Sequence, residues 1–263
     1  MANPATGQYF GAINQVDAGG TASYNGLILD VQRRAGRGIT LGANYTWAHC
    51  IGDSGGLSAI QGTSDVGYTN PNSRRFDRGN CAINGAAAGQ PSIDRRQVFG
   101  FSAVARTPRF ANSATRALAS GWQLSPIVRI LSGDLLSVTT TQDRALNGVP
   151  GQRAQQLMTN IYGDGTAQNW INPAAFGLPA VGTLTNQGAG GVKGPSYWQF
   201  DTALSRTFQV RESQRIEFRA EAFNLTNSVR LNDPIVDVGS SLFGKMTGAK
   251  EPRIMQFALK YLF

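Results

Sequence analysis

The chain has 263 residues, of which 41% are hydrophobic and only 15% charged, with 32 Gly and a single His. That charged fraction lies well below the roughly 25% of ordinary soluble domains, and the β-branched and aromatic residues exclude disorder. A membrane helix is excluded as well: the most apolar stretch, 127–138, is interrupted by Arg129, Gly133 and Asp134, short of the roughly 18 apolar residues such a span needs. The net charge of +8 rests on twenty Arg and four Lys. These are scattered, with Arg33-Arg34, Arg74-Arg75 and Arg95-Arg96 the longest clusters, so no nucleic-acid partner is expected. What remains is an all-β chain with long polar loops.

Period-two alternation recurs along the chain. Residues 8–16 form a weak candidate strand. Leu27, Leu29 and Val31 then alternate with Gly26, Ile28, Asp30 and Gln32. Over 39–47, Ile39, Leu41, Ala43, Tyr45 and Trp47 oppose Thr40, Gly42, Asn44 and Thr46, which gives one apolar and one polar face. Phe99, Phe101, Ala103 and Ala105 mark a third strand. Trp122, Leu124, Pro126, Val128 and Ile130 mark a fourth, and Phe200, Leu204 and Phe208 a fifth. In the sixth, Ile216, Phe218, Ala220 and Ala222 oppose Arg215, Glu217, Arg219 and Glu221. The chain ends on Met255, Phe257, Leu259, Tyr261 and Phe263.

The connections alternate between shorter and longer: a tight turn at 34–38, a polar stretch at 49–94, a link at 107–121, a very long loop at 139–197, a turn at 209–213 and a loop at 225–252. No soluble sandwich requires that order, whereas a membrane barrel does, with turns on one side and loops on the other. Strands of about 9–11 residues match a tilted bilayer crossing. Tyr45 and Trp47 fall at one end of the strands, and Trp122, Phe208, Tyr261 and Phe263 at the other, as interfacial aromatic belts require. The expected fold is therefore an antiparallel transmembrane β-barrel segment of seven or eight strands, a partial barrel, with residues 1–22 as a loop remnant or weak extra strand and 23–263 as the barrel section.

Several segments resemble a known family. These are Gly42-Ala43-Asn44-Tyr45-Thr46-Trp47-Ala48-His49, Ile93-Asp94-Arg95-Arg96-Gln97-Val98-Phe99 and Gly121-Trp122-Gln123-Leu124-Ser125. Asn172-Pro173-Ala174-Ala175-Phe176 and Arg219-Ala220-Glu221-Ala222-Phe223-Asn224-Leu225-Thr226-Asn227 continue the match. Together they resemble the C-terminal barrel section of TonB-dependent outer-membrane receptors, in particular the Oar-like group with an N-terminal carboxypeptidase-regulatory-like domain. The resemblance implies a Gram-negative type cell outer membrane, solute uptake energised through TonB, and a parent barrel of about 22 strands closed by a plug. It further implies that the closing residues Phe257, Leu259, Tyr261 and Phe263 resemble the signal read by the barrel-assembly machinery. The opening residues 1–7 have no basic region or apolar core, so no export signal is expected there. The chain is thus expected to be a C-terminal fragment whose partners are outer-membrane lipid, the remaining strands and plug of the parent, and TonB through the missing N-terminal part. A small standalone outer-membrane or secreted β-protein acting in adhesion is the other reading, with 8–16 as the strand that makes the number even.

Within that frame Cys50 and Cys81 bracket an outer loop exposed to oxidising conditions, which favours a disulfide over a metal pair. The ladder Arg215, Glu217, Arg219 and Glu221 is expected to face the lumen, because charge facing lipid costs about 2–4 kcal/mol near the midplane. Arg206 falls on the apolar face near the turn side and is expected to reach headgroups. Ala48-His49-Cys50 followed by Gly52-Asp53-Ser54-Gly55-Gly56 imitates serine-protease strings, but a triad assembles from distant segments, so no enzyme, catalytic residue, cofactor or metal is expected.

Overall fold

The computed structural model describes residues 19–36, 38–53, 68–70, 72–81, 94–149 and 151–263. Seven long strands form one antiparallel sheet in which every strand pairs with its neighbours in sequence. They are β1 (Ala22–Ala35), β2 (Ile39–Gly52), β3 (Gln97–Arg106), β4 (Trp122–Leu131), β5 (Tyr197–Gln209), β6 (Arg215–Phe223) and β7 (Ile254–Leu262). Among the described residues β1 and β7 are not paired with each other, so the sheet is open, a partial barrel wall. The candidate strand at 8–16 lies outside the described residues.

The register carries one apolar row set across all seven strands. Phe101 lies opposite Ala43 and Val128, Val128 opposite Phe200, and further along Leu204 opposite Ala220, itself opposite Phe257. Among the described residues no second sheet covers this face. Leu29, Val31, Ile130, Phe257 and Leu259 remain about half or more exposed, with Leu259 at 73%. Nothing in water stabilises such a surface, so its solvent is apolar.

Aromatic residues rim the face at both ends. Trp47, Tyr45, Phe99 and Trp198 lie toward the long loops, while Trp122, Phe208 and Tyr261 lie toward the turns. From Trp198 to Phe208 is about 33 Å along a strand, or about 23–25 Å at a tilt of 40–45°, the height of a barrel's apolar band.

Three expectations need correction. β1 and β2 are 14 residues each and β5 is 13, longer than the expected 9–11: the β1–β2 pairing continues to Ala22 and Gly52 on the loop side, and β5 gains Tyr197 opposite Leu131 and Gln209 opposite Arg215. The polar stretch expected from His49 therefore begins only after Gly52. The link between β3 and β4 holds a helix, α1 (Ser113–Ala119), capped by the Asn112 side chain accepting from the Ala114 and Thr115 amides. Finally, Arg206 does not reach for headgroups. Its guanidinium donates to the carbonyls of Ala117 and Leu118 at the C-terminus of α1, and lies 5.4 Å from the Trp122 ring and 4.6 Å from the Phe208 ring. A cation there satisfies orphan carbonyls and complements the helix dipole.

The hydrophobic core is in the loops, not the sheet. Val138, Ala154, Ile171, Ala175, Phe176, Val192 and Phe243 form a buried cluster joining the β4–β5 loop to the β6–β7 loop. Four two-stranded pairs frame the first of these loops, among them Leu135–Leu136 with Val192–Lys193 and Thr139–Thr140 with Gln152–Arg153. Gly244 makes the junction close: its carbonyl accepts from the Trp170 and Ile171 amides, its φ is 80°, and a Cβ there would stand 2.3 Å from the Ile171 carbonyl oxygen. The long loops thus make one folded cap.

The two faces predict opposite responses to the same substitution. Phe101→Arg places a charge at mid-height on the apolar face and should cost about 2–4 kcal/mol in a bilayer, whereas Ser102→Arg on the polar face should cost under about 1 kcal/mol. Denaturant titration of the protein in lipid vesicles measures both; equal costs would contradict the assignment of faces.

Candidate functional site

The polar face and the loop-side mouth of the sheet are where a solute or a neighbouring segment could be held. On the polar face, Arg215, Glu217, Arg219 and Glu221 stand in one row on β6, with Glu217 opposite Lys260 and Glu221 opposite Gln256 on β7. Arg219 pairs with Glu221, and Gln256 donates to Glu221. The ladder is therefore largely engaged with itself and with β7. Phe257, Leu259 and Tyr261 project from the apolar face of the edge strand, and Phe263, just past its end, is 94% exposed.

At the mouth, the segments that resemble the receptor family act as fasteners between loops. Arg95 donates from Nη1 to the Ser132 carbonyl at 2.7 Å and from Nη2 to Asp134 Oδ2 at 2.5 Å. Arg96 donates to Asn80 Oδ1 at 2.6 Å. Asn172 caps the short turn Pro173–Ala175, which sets Ala175 and Phe176 into the cap core. Asn224, only 1% exposed, adopts a left-handed φ of 50°, accepts on its side-chain oxygen from the Ser228 amide and hydroxyl, and donates its backbone amide to the Asp201 carboxylate. Asn tolerates that backbone region where most residues do not, so this Asn turns the chain out of β6.

The structure joins Cys50 and Cys81 in a disulfide, with Cα atoms 5.3 Å apart. Cys50 extends β2 and Cys81 follows the two-residue strand Gly79–Asn80, which pairs with the end of β2. Beside it, Asp53 accepts from the Thr21 amide and hydroxyl, both at 2.6 Å, with Arg78 at 3.9 Å. His49 lies within β2 opposite Asn25. Asp53 is thus committed to Thr21 rather than to an imidazole, and Ser54 lies outside the described residues.

Two further clusters escaped the sequence reading, since their members are remote from one another along the chain. Arg153 and Asp77 form a buried ion pair at 2.8 Å, with side chains 2% and 3% exposed. Arg153 also donates to the carbonyls of Phe76 and Gln187, and Asp77 accepts from the Thr69 amide. Removing either partner of such a pair costs about 3–5 kcal/mol. The second cluster gathers Arg95, Asp134, Asp233, Lys250 and Tyr197, with Arg95 5.7 Å and Lys250 5.3 Å from the Tyr197 ring. Burial above all pushes the Asp134 carboxyl up to about 6; the neighbouring Asp233 carboxyl adds to this and Arg95 opposes it. Asp233 is also raised by its burial, with Asp134, Arg95 and Lys250 pulling the other way. Among the described residues no three His, Cys, Asp or Glu side chains gather as metal ligands.

A carboxyl raised from 3.8 to about 6 favours the folded state in its protonated form. That contribution is complete below about pH 4 and is lost as pH rises through about 6. The cap should therefore exchange its amide hydrogens more slowly near pH 5 than near pH 7.5, after correction for intrinsic exchange rates, and Asp134→Asn should flatten the difference. Hydrogen exchange over 134–139 and 231–238 tests this; an unchanged slope in the variant would contradict the raised Asp134 carboxyl.

No curated protein and no solved structure matches this chain. The outer membrane beta barrel domain family matches residues 2–256. The antiparallel wall with its uncovered apolar face agrees with that match, and the chain belongs to the outer membrane beta barrel domain family.

Proposed function

We propose that this chain is the C-terminal wall of a TonB-dependent outer-membrane receptor of the Gram-negative type, working in solute uptake. In this reading further strands complete the barrel, and a plug with a TonB-contacting segment fills it. The observation that carries the reading is the open sheet. Unpaired backbone groups cannot stay in hydrocarbon, where each costs several kcal/mol, so β1 and β7 need neighbours supplied by other strands. This segment supplies polar wall, outer cap and closing strand.

The role of each part follows. The Arg215–Glu221 row offers a polar surface to a plug. The cap, stitched by its own core and by Arg153–Asp77, stays folded over the mouth while the plug moves. The exposed Phe257, Leu259, Tyr261 and Phe263 present the edge strand to the assembly machinery. No bond chemistry is assigned to the chain.

The reading predicts that an antibody to the cap detects an outer-membrane polypeptide heavier than 28.0 kDa. That polypeptide should cross-link to TonB in living cells, and removal of Phe263 should lower its level in the outer membrane several-fold. A mature outer-membrane species of 28.0 kDa with no TonB adduct would overturn it.

A further inference from the structure

We propose that the cleft bounded by Gln199, Phe223, Arg230, Lys250, Pro252 and Ile254 binds an organic carboxylate. Arg230 and Lys250 hold the anionic end, and the apolar body lies along Phe223, Pro252 and Ile254. The cleft has a volume of about 470 Å³, within the range of small-molecule sites. Gln199, Phe223 and Ile254 project from the polar face by register, which places the cleft at the loop-side end of the lumen wall.

The charge state of Arg230 is what calls for an anion. This residue is 7% exposed, and a buried cation is costly without a counter-charge. Its Nη1 donates to Gln199 Oε1 at 2.5 Å and its Nη2 to the Glu251 carbonyl at 2.7 Å, both neutral acceptors. Its Nε donates to nothing among the described residues. No carboxylate of the described residues forms an ion pair with it. The acid Asp201 is reached only through an amide: Gln199 Nε2 donates to both Asp201 oxygens at 2.8 and 2.7 Å, which aims the Gln199 carbonyl at Arg230. A guanidinium has five N–H donors, and most of those of Arg230 are uncommitted.

The second cation is held close by the backbone, since the Lys250 amide donates to the Arg230 carbonyl at 2.7 Å. Lys250 is exposed, stacks on Tyr197, and also feels Asp134 and Asp233. Its charge is therefore partly shared, and Arg230 is the principal anchor. Glu251 contributes its carbonyl, while its carboxylate pairs with neither cation among the described residues. Two cations beside an apolar wall fit a carboxylate on a hydrophobic body better than a bare inorganic anion.

The proposal rests on the uptake reading for its biological meaning, since it names the solute class, but binding itself requires neither TonB nor transport. Isothermal titration of the whole protein, extracted from its outer membrane in detergent, tests it with phenylacetate, its neutral analogue phenylacetamide, and inorganic phosphate. Phenylacetate should bind, and phenylacetamide and phosphate should bind at least about tenfold more weakly. Arg230→Gln should abolish binding. Lys250→Gln alters an exposed side chain, leaves the fold intact and should weaken phenylacetate several-fold. Absence of phenylacetate binding, equal affinity for the amide or for phosphate, or an unchanged affinity in Lys250→Gln would each overturn the proposal. A polypeptide of 28.0 kDa lacking TonB contact would sink the uptake reading alone and leave these titrations standing.

Discussion

Everything in this structure depends on where the apolar face of the sheet is placed. In water, seven strands whose outward rows include Leu29, Phe101, Val128, Phe218 and Leu259 would collapse onto one another or onto a second layer. Among the described residues neither happens: no second layer covers those rows, and the strands meet through hydrogen-bonded neighbours. A solvent without hydrogen-bonding capacity reverses the usual economy of folding. It accepts the apolar rows but forbids free backbone, so each strand within the band must be paired along its length.

The same constraint explains why the core sits in the loops. Where the strands leave the apolar band, water returns and burial again becomes the driving force. The loop segments use it to pack Val138, Ile171, Phe176, Val192 and Phe243 together. The β2–β3 loop is then tied to the β4–β5 loop by polar contacts of long sequence range, Arg95 to Asp134 and Arg153 to Asp77, and the Cys50–Cys81 disulfide closes the first of these loops against β2. A cap of this kind is rigid enough to keep Arg230 and Lys250 in place beside the lumen wall.

Strands were legible in the sequence because lipid on one side and polar surroundings on the other impose a period of two, which survives in one dimension. Residues 39–47 and 215–223 show it without interruption. The period ends where the lipid ends, which is why the extensions of β1 and β2 toward Gly52 left no trace of alternation. α1 was hidden for a different reason. Ala114, Ala117 and Ala119 favour helix, but seven residues after Pro108 make no amphipathic stripe; Asn112 as a capping residue was the one local signal. With the helix unseen, Arg206 could be given a depth but not its partner. The cap core and the Asp134–Asp233 pair were beyond reach, because each joins residues from different loops and neither follows a period. The receptor-like segments at Asp94–Gln97, Asn172–Phe176 and Asn224–Asn227 were visible as strings, and only the structure shows that they fasten loops.

Quenching of tryptophan fluorescence by lipids brominated near the headgroup end of the acyl chain tests the placement of the apolar face most directly. The chain has four Trp. Trp47, Trp122 and Trp198 lie on the rims of that face, and Trp170 lies in the cap with its ring nitrogen donating to the Lys193 carbonyl. In proteins retaining one Trp each, the three rim residues should be strongly quenched and Trp170 left bright. Equal emission from all four in brominated and ordinary lipid would mean that protein, not lipid, covers the face.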